Sequence, residues 1–366
     1  MDIKNINEFA KITDTKISPA EKNKLQKVID RYPVKLTPHL IKLIKKSDNI
    51  KKQFFPDVRE LNNTGITRPW VGQINTGIYG LERMYKDRCI LLPIKQCPAY
   101  CRHCIRKDYI SKSDKAMSYQ DINKAINYIS KNTEIKEVLI TGGDPLMDIN
   151  KLDYIIQKLN KMDTVKVIRI GTRSIMYDPG KINTKLLAIL KKTNKQVEMS
   201  CQFNHVDELS TETINACKKL INSGIKIYNQ SVLLKGINDK KQDLYNLFSK
   251  LREIGIDNHY LYHCANTLGT ECFRTSIQKG IEIKRWFRAG NLSGRANPAY
   301  IIILPIGKAE PYIDCDFINK KKNVQIIRSS YKEKDLKKID KKYKLPNDCF
   351  VNKDGYIVCK YVDGKD

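Results

Sequence analysis

At 366 residues and 41% hydrophobic content, the chain has enough apolar material for one large α/β core or two smaller ones, so it needs no disulfide framework to fold. No apolar run approaches the ~20 residues of a membrane-spanning helix, and the first residues lack a signal peptide's apolar stretch; this points to a cytoplasmic protein, where cysteine clusters mean metal binding or catalysis. The net charge of +27 would suit nucleic acid, but the lysines are spread along the whole chain, densest over residues 320–344, and no nucleic-acid-binding motif accompanies them.

Residues 1–60 read as helical and peripheral. Leu25, Val28 and Ile29, then Leu40, Leu43 and Ile44, recur at helical spacing, and Pro33 and Pro38 break the stretch. ELNNTGITRPWVGQINTGIYG (60–80) has little periodicity and reads as a connector. Strand and helix then alternate. CILLPI (89–94) suits a buried strand, and Ser118 is the expected N-cap of the helix SYQDINKAINYIS. EVLIT (137–141), VKVIRI (165–170), VEMSCQ (197–202), IKIYNQS (225–231) and HYLYH (259–263) are the next strands, with helices between them, one ended by Gly224. A helix around 277–287 follows the last of these.

Six such units, each about 30 residues long, imply a parallel sheet with helices outside, curled into a partial or full (β/α) barrel. The expected parts are an N-terminal helical region and connector (1–80), the barrel core (81–298) and a small C-terminal cap (299–366). In the cap, YIIIL (300–304) is a further strand, and NVQIIRS with GYIVCKY forms a hairpin interrupted by a lysine-rich insertion. Function in such a fold belongs at the C-terminal ends of the strands.

The segment ILLPIKQCPAYCRHCIRKDY places Cys97, Cys101 and Cys104 at C-x3-C-x2-C spacing just after the first strand. Three thiolates can hold three irons of a 4Fe-4S cubane and leave the fourth iron open, unlike a four-cysteine ferredoxin site. An open iron can chelate the amino and carboxylate groups of S-adenosylmethionine and pass an electron to its sulfonium, which yields a 5′-deoxyadenosyl radical. The alternative is a zinc site with His103 or a distant cysteine as fourth ligand, although zinc motifs usually show two separated cysteine pairs. Tyr100 would pack on the adenine side of a bound S-adenosylmethionine, with His103 beside the third cysteine.

The cluster motif and its surroundings resemble the lysine 2,3-aminomutase family of the radical S-adenosylmethionine superfamily. CPAYCRHCIRK, TGGDPL (141–146), RIGTR (169–173), QFNHVDE, NQSVLLKGIND (229–239) and FRTSIQKGIEI are similar to family segments, in order, over about residues 20–310. A cluster that needs an electron implies a flavodoxin or ferredoxin reductant, and the resemblance implies a homo-oligomeric isomerase. It also implies a pyridoxal phosphate that forms an imine with an amino-acid substrate, whose nitrogen migrates after radical removal of a β-hydrogen. By the same resemblance Arg106 would bind the substrate carboxylate. Read from their chemistry, Gly142 and Gly143 allow close backbone approach to the methionine moiety, with Asp144 placed to meet its ammonium. Gln230 and Ser231 suit ribose hydroxyls, and Asn204 and His205 could line the cavity or be structural. Arg173, Arg88 and Arg106 are cationic candidates for phosphate and carboxylate.

The chain also departs from the family. YIIILPIGKAEP carries one glycine where the family has several, and makes Lys308 the counterpart of the pyridoxal lysine, or else a solvated lysine. Met84 replaces an arginine expected near the phosphate, although Arg83 is adjacent. Ala265 and Ile303 stand about where two family aspartates grip the distal ammonium of lysine, so an amino acid other than lysine is expected. The competing readings are a radical enzyme without pyridoxal phosphate and, from another class, a zinc-bearing basic nucleic-acid-binding protein.

Overall fold

The computed structural model describes residues 1–62, 64–67, 74–107 and 116–366, so part of the connector expected over 60–80 lies outside the described residues. Strands β1 (Asp2–Ile3) and β2 (Val34–Lys35) pair antiparallel at the N-terminal end. Among the described residues the central sheet has nine strands. They are β3 (Leu81–Glu82), β4 (Arg88–Ile94), β5 (Glu137–Gly142), β6 (Val167–Gly171), β7 (Gln196–Cys201), β8 (Lys226–Leu233), β9 (Asp257–His263), β10 (Ala299–Leu304) and β11 (Gly307–Ala309), side by side in chain order. Strands β4 to β10 are parallel throughout, whereas β3 and β11 are antiparallel edges. The edges do not meet, so the sheet is a half-barrel, and YIIIL is its seventh parallel strand.

Period-two burial tells the two faces apart. On β5 and β6, Val138, Ile140, Ile168 and Ile170 are fully buried, while Glu137, Leu139 and Arg169 between them are only half-buried. The buried face lies under the helices. Helix Tyr119–Lys131 starts where Ser118 accepts from Asp121 N–H in a capping box, and contributes Ile122, Ala125 and Ile129. Helix Ile149–Asn160 buries Leu152, Ile155, Ile156 and Leu159. At ~1.5–3 kcal/mol per buried branched side chain, this outer layer supplies much of the stability and leaves the concave face free for polar groups.

The N-terminal region is helical as expected but is not peripheral. Helices Ile6–Thr13, Pro19–Arg31, Pro38–Lys46 and Asp48–Phe54 turn Phe9, Leu25, Ile29, Leu40, Leu43, Ile44, Ile50 and Phe54 into the same core as the barrel. They pack beside the loop after β4: Tyr100 N–H donates to Lys35 O (3.2 Å) and Arg102 N–H to Gln53 O (2.8 Å).

The C-terminal cap holds a four-stranded antiparallel sheet rather than a lone hairpin. Between β12 (Cys315–Lys321) and β14 (Cys349–Val351) run β13 (Val324–Lys332) and β15 (Tyr356–Val362), in the order β12-β13-β15-β14. The chain end returns to the barrel. Asp363 and Asp366 accept from the N–H groups of Ile277 and Ser276 at the start of helix Ile277–Trp286, each at 2.9 Å.

Candidate active site

The loop after β4 carries all three motif cysteines, and Cys97, Cys101 and Cys104 line one small pocket with Tyr32, Tyr100, Arg102 and Lys107. Two glycines hold that loop against the end of β5. A Cβ on Gly143 would lie 2.2 Å from Gln96 O, and one on Gly142, whose φ is +113°, would lie 2.6 Å from Ile94 O. That proximity lets Gly143 N–H donate to Ile94 O (2.7 Å) and Asp144 N–H to Gln96 O (2.8 Å). The Asp144 carboxylate is committed within the protein. It accepts from Thr172 Oγ1 (2.8 Å) and from the backbone N–H of Leu146, Arg173 and Ser174 (2.9–3.0 Å), which ties the β5 and β6 ends together. Burial raises its pKa, and these hydrogen bonds oppose the rise.

Two buried polar networks clamp the cysteine loop. In the first, the Arg173 guanidinium lies 3.0 Å from Cys101 Sγ and donates to Gln53 Oε1 (2.6 Å), Gln202 O (3.0 Å) and both oxygens of buried Glu208 (3.1 Å). Burial opposes its charge, yet Tyr177, Glu208 and Cys101 outweigh that and hold Arg173 firmly protonated. Gln53 also donates to Glu208 (2.7 Å), and Asn204 donates to Gln53 Oε1 (3.0 Å). Tyr177 hydroxyl contacts Cys101 Sγ. The His103 Nε2 faces the amide nitrogens of Gln202 (3.1 Å) and Asn204 (3.2 Å), so it accepts and Nδ1 carries the proton. Among the described residues that buried Nδ1 has no hydrogen-bond partner, and burial, then Arg173 and Lys107, keep the imidazole neutral.

In the second network, fully buried Glu60 receives Arg102 Nε (3.0 Å) and Nη2 and Lys107 Nζ. Lys107 also donates to Gly269 O (2.7 Å) and lies 4.4 Å from the Tyr32 ring centroid. Burial lowers its pKa to about 8.

The concave face of the sheet forms a second polar surface. Arg169 pairs with Glu137 (2.6 Å) and Glu198 (3.7 Å). Lys308, on β11, turns its amine over the rings of Tyr260 (4.6 Å) and Tyr262 (5.4 Å), half-buried residues of β9. Burial, then the charges of Arg169 and Arg88, lower its pKa to about 7. Arg88 stacks on Tyr85 (4.1 Å), whose hydroxyl accepts from Lys308 N–H (3.1 Å). Arg106 forms a two-pronged pair with Glu82 on β3 (2.8 and 3.0 Å). Arg83 is fully buried against Tyr128, Asn132 and Glu134.

The structure therefore gathers Cys97, Tyr100, Cys101, Cys104, His103, Gly142, Gly143, Asp144, Arg173 and Asn204 at the C-terminal ends of the strands. Lys308 and Arg88 stand together on the concave side, with Gln230 on the half-buried face of β8. Two of the expected residues are elsewhere. Ser231 is buried on the opposite face, where it donates to Phe203 O (2.6 Å), and His205 caps a short helical turn, bonded to Asn49 and Asp207. Ala265 is buried and Ile303 sits opposite Lys308 in the β10–β11 pair.

The radical SAM superfamily model matches residues 91–248. The chain is 34% identical to L-lysine 2,3-aminomutase of Clostridium subterminale, over 81% of this chain and 72% of that one. It is 33% identical to glutamate 2,3-aminomutase of Clostridioides difficile, over 83% and 72%. The chain belongs to the lysine 2,3-aminomutase family of the radical SAM superfamily. It is thus an enzyme, an isomerase of the aminomutase type, in a superfamily that implies a 4Fe-4S cluster and S-adenosylmethionine.

The donor set of this aminomutase relative suits such a cluster. Among the described residues no three His, Cys, Asp or Glu side chains converge on a point for a single ion. The three thiols line one pocket, and three thiolates are the donor set that three irons of a cubane take. His103, one of the two fourth ligands weighed for a zinc site beside a distant cysteine, has its Nε2 engaged with two amides and does not line that pocket. Sequence reasoning missed Gln53, Glu60, Tyr177 and Glu208. Gln53 had one available signal, a polar residue three positions after Ile50 on the helix face that also buries Phe54.

Proposed function

We propose that this chain is an aminomutase that moves an amino group between neighbouring carbons of an amino acid other than lysine, with pyridoxal phosphate as second cofactor. The observation that carries this reading is Lys308: its amine projects over Tyr260 and Tyr262 on the concave face, and its pKa of about 7 leaves much of it neutral and nucleophilic near physiological pH. The cluster, when bound, supplies the electron that splits S-adenosylmethionine into methionine and a hydrogen-abstracting radical, while pyridoxal phosphate supplies a conjugated carrier for the migrating nitrogen.

The chain's own side chains take the remaining roles. Cys97, Cys101 and Cys104 hold the cluster, and Arg173 donates to Cys101 Sγ from 3.0 Å. His103 offers its Nδ1–H, which has no partner among the described residues, and Tyr100 its ring, to S-adenosylmethionine. Gln230 serves a ribose hydroxyl from the concave face. Arg88 takes phosphate, and Arg106 takes the substrate carboxylate once Glu82 gives way. Buried Ala265 and apolar Ile303 offer no carboxylate to a distal ammonium, whose unpaired burial is costly; this argues for a small, apolar or neutral substrate side chain. An acidic flavodoxin or ferredoxin is the matching reductant for a chain of net charge +27.

Two measurements test the reading. Anaerobically reconstituted protein with dithionite and S-adenosylmethionine should release 5′-deoxyadenosine, and Cys101→Ala should not; a loaded cluster that releases none sinks the radical assignment. Borohydride treatment with pyridoxal phosphate should leave a covalent pyridoxyl adduct on Lys308 that is absent in Lys308→Ala. An unmodified Lys308 would rule out the second cofactor while leaving the radical chemistry intact.

A further inference from the structure

In a sheet separate from the barrel strands, the C-terminal cap holds two thiols in direct contact. Cys349 on β14 and Cys359 on β15 are register partners, and their sulfurs are 2.9 Å apart. Lys360 N–H donates to Asp348 O (2.8 Å), which makes 348/360 a hydrogen-bonded pair and leaves Cys349 and Cys359 as the adjacent non-hydrogen-bonded pair. In such a pair the Cα atoms lie about 4.5 Å apart and the side chains share a face, within the span a disulfide bridges. Cys359 is fully buried, whereas Cys349 is half-buried on the edge strand. One thiol is therefore reachable and the other is held against it.

We infer that Cys349 and Cys359 form a thiol–disulfide exchange site whose co-substrate is a low-molecular-weight disulfide. The Cys349 thiolate attacks one sulfur of the external disulfide and forms a mixed disulfide, with one thiolate leaving. Cys359 loses its proton and attacks the Cys349 sulfur, which closes the internal bond and expels the second external thiol. Two protein thiols are oxidised, one external disulfide is reduced to two thiols, and the two protein protons end on those leaving groups. The contact with Cys349, with burial, holds the Cys359 thiol protonated in the reduced state, so Cys349 is the attacking group.

The bond would fasten the edge strand β14 to β15. The far end of β15 presents Val362 O (2.6 Å) and Tyr361 hydroxyl (3.4 Å) to the buried Arg274 guanidinium, next to the tail that caps helix Ile277–Trp286. Oxidation thus acts on the strand through which the cap grips the barrel.

The test equilibrates the anaerobic, cluster-loaded protein with glutathione–glutathione disulfide mixtures, quenches in acid, alkylates under denaturing conditions and digests with trypsin. Cleavage after Lys344, Lys353 and Lys360 puts the two cysteines on separate peptides, 345–353 and 354–360. Mass spectrometry should find these peptides joined and two hydrogens lighter than their sum, in a fraction that rises with the disulfide ratio. Cys359→Ser should instead trap a glutathione adduct on Cys349. Full alkylation of both cysteines at every ratio, or a glutathione adduct that persists on Cys349 in the wild-type protein, would overturn the proposal.

Discussion

At the scale of single residues, the cysteine loop is held by charges that cannot be reached by water. Glu208 is fully buried and balances Arg173, so Glu208→Gln leaves a cation without its counter-ion. The expected loss is about 3 kcal/mol in anaerobic urea unfolding, at the low end for a broken buried pair because glutamine keeps a hydrogen bond. Glu253→Gln, which breaks an exposed pair with Lys250, should cost under about 0.5 kcal/mol in the same experiment. Lys308 gives a pH signature. Its folded pKa of about 7 lies below the ordinary lysine value, so between those limits the unfolded chain binds more protons and stability rises with pH. The urea midpoint should climb from pH 7 to pH 9 more steeply in wild type than in Lys308→Met; equal slopes would mean that Lys308 titrates normally. Much of this residue scale was legible in sequence, since cysteine spacing is a local property. Glu60, Glu208 and Tyr177 were not, because a buried acid or phenol looks like any other until its partners from distant segments are known.

At the scale of elements, the glycines after β5 act on the neighbouring loop. Gly143→Ala places a methyl group 2.2 Å from Gln96 O, a backbone atom that has to move. The expected outcome is a protein with unchanged far-ultraviolet circular dichroism that retains little iron and sulfide after reconstitution. Retention of a full cluster would show that the loop tolerates the shift. The strands of the half-barrel were readable because apolar runs such as EVLIT and VEMSCQ are bounded by helices with clear caps. By contrast β12 (CDFINKK) ends in a polar run and β14 is only three residues long, too short to show a period, so only their partners β13 and β15 stood out. The helical spacing of the N-terminal segments was plain as well. What could not be read was their destination, because amphipathic periodicity says which face is buried and not what covers it.

At the scale of the whole molecule, two features lend themselves to test. The chain end caps helix Ile277–Trp286 through Asp363 and Asp366, so removing residues 363–366 should lower stability by about 2 kcal/mol in urea unfolding, as two lost caps would. A truncated protein as stable as the full chain would mean that these contacts add nothing. The net charge of +27 bears on electron delivery: reduction by an acidic flavodoxin should slow several-fold as salt rises from about 0.05 to 0.5 M, while reduction by dithionite should change far less. Salt-independent kinetics would remove the charge from the account of partner choice.

The N-terminal helices also impose an order of events during synthesis. Gln53 meets Glu208 across 155 residues, and Lys107, which binds Glu60, reaches Gly269 across 162. At roughly 5–20 residues per second, on the order of ten to thirty seconds separate the emergence of Gln53 from that of its partner. Throughout that interval Phe9, Leu40 and Phe54 have no barrel to cover them, so residues made before the barrel are buried only after it. The nascent chain therefore presents a sticky, positively charged segment to the cell's holding chaperones, and the Arg173 clamp on the cluster loop closes only after translation has passed the fourth parallel strand.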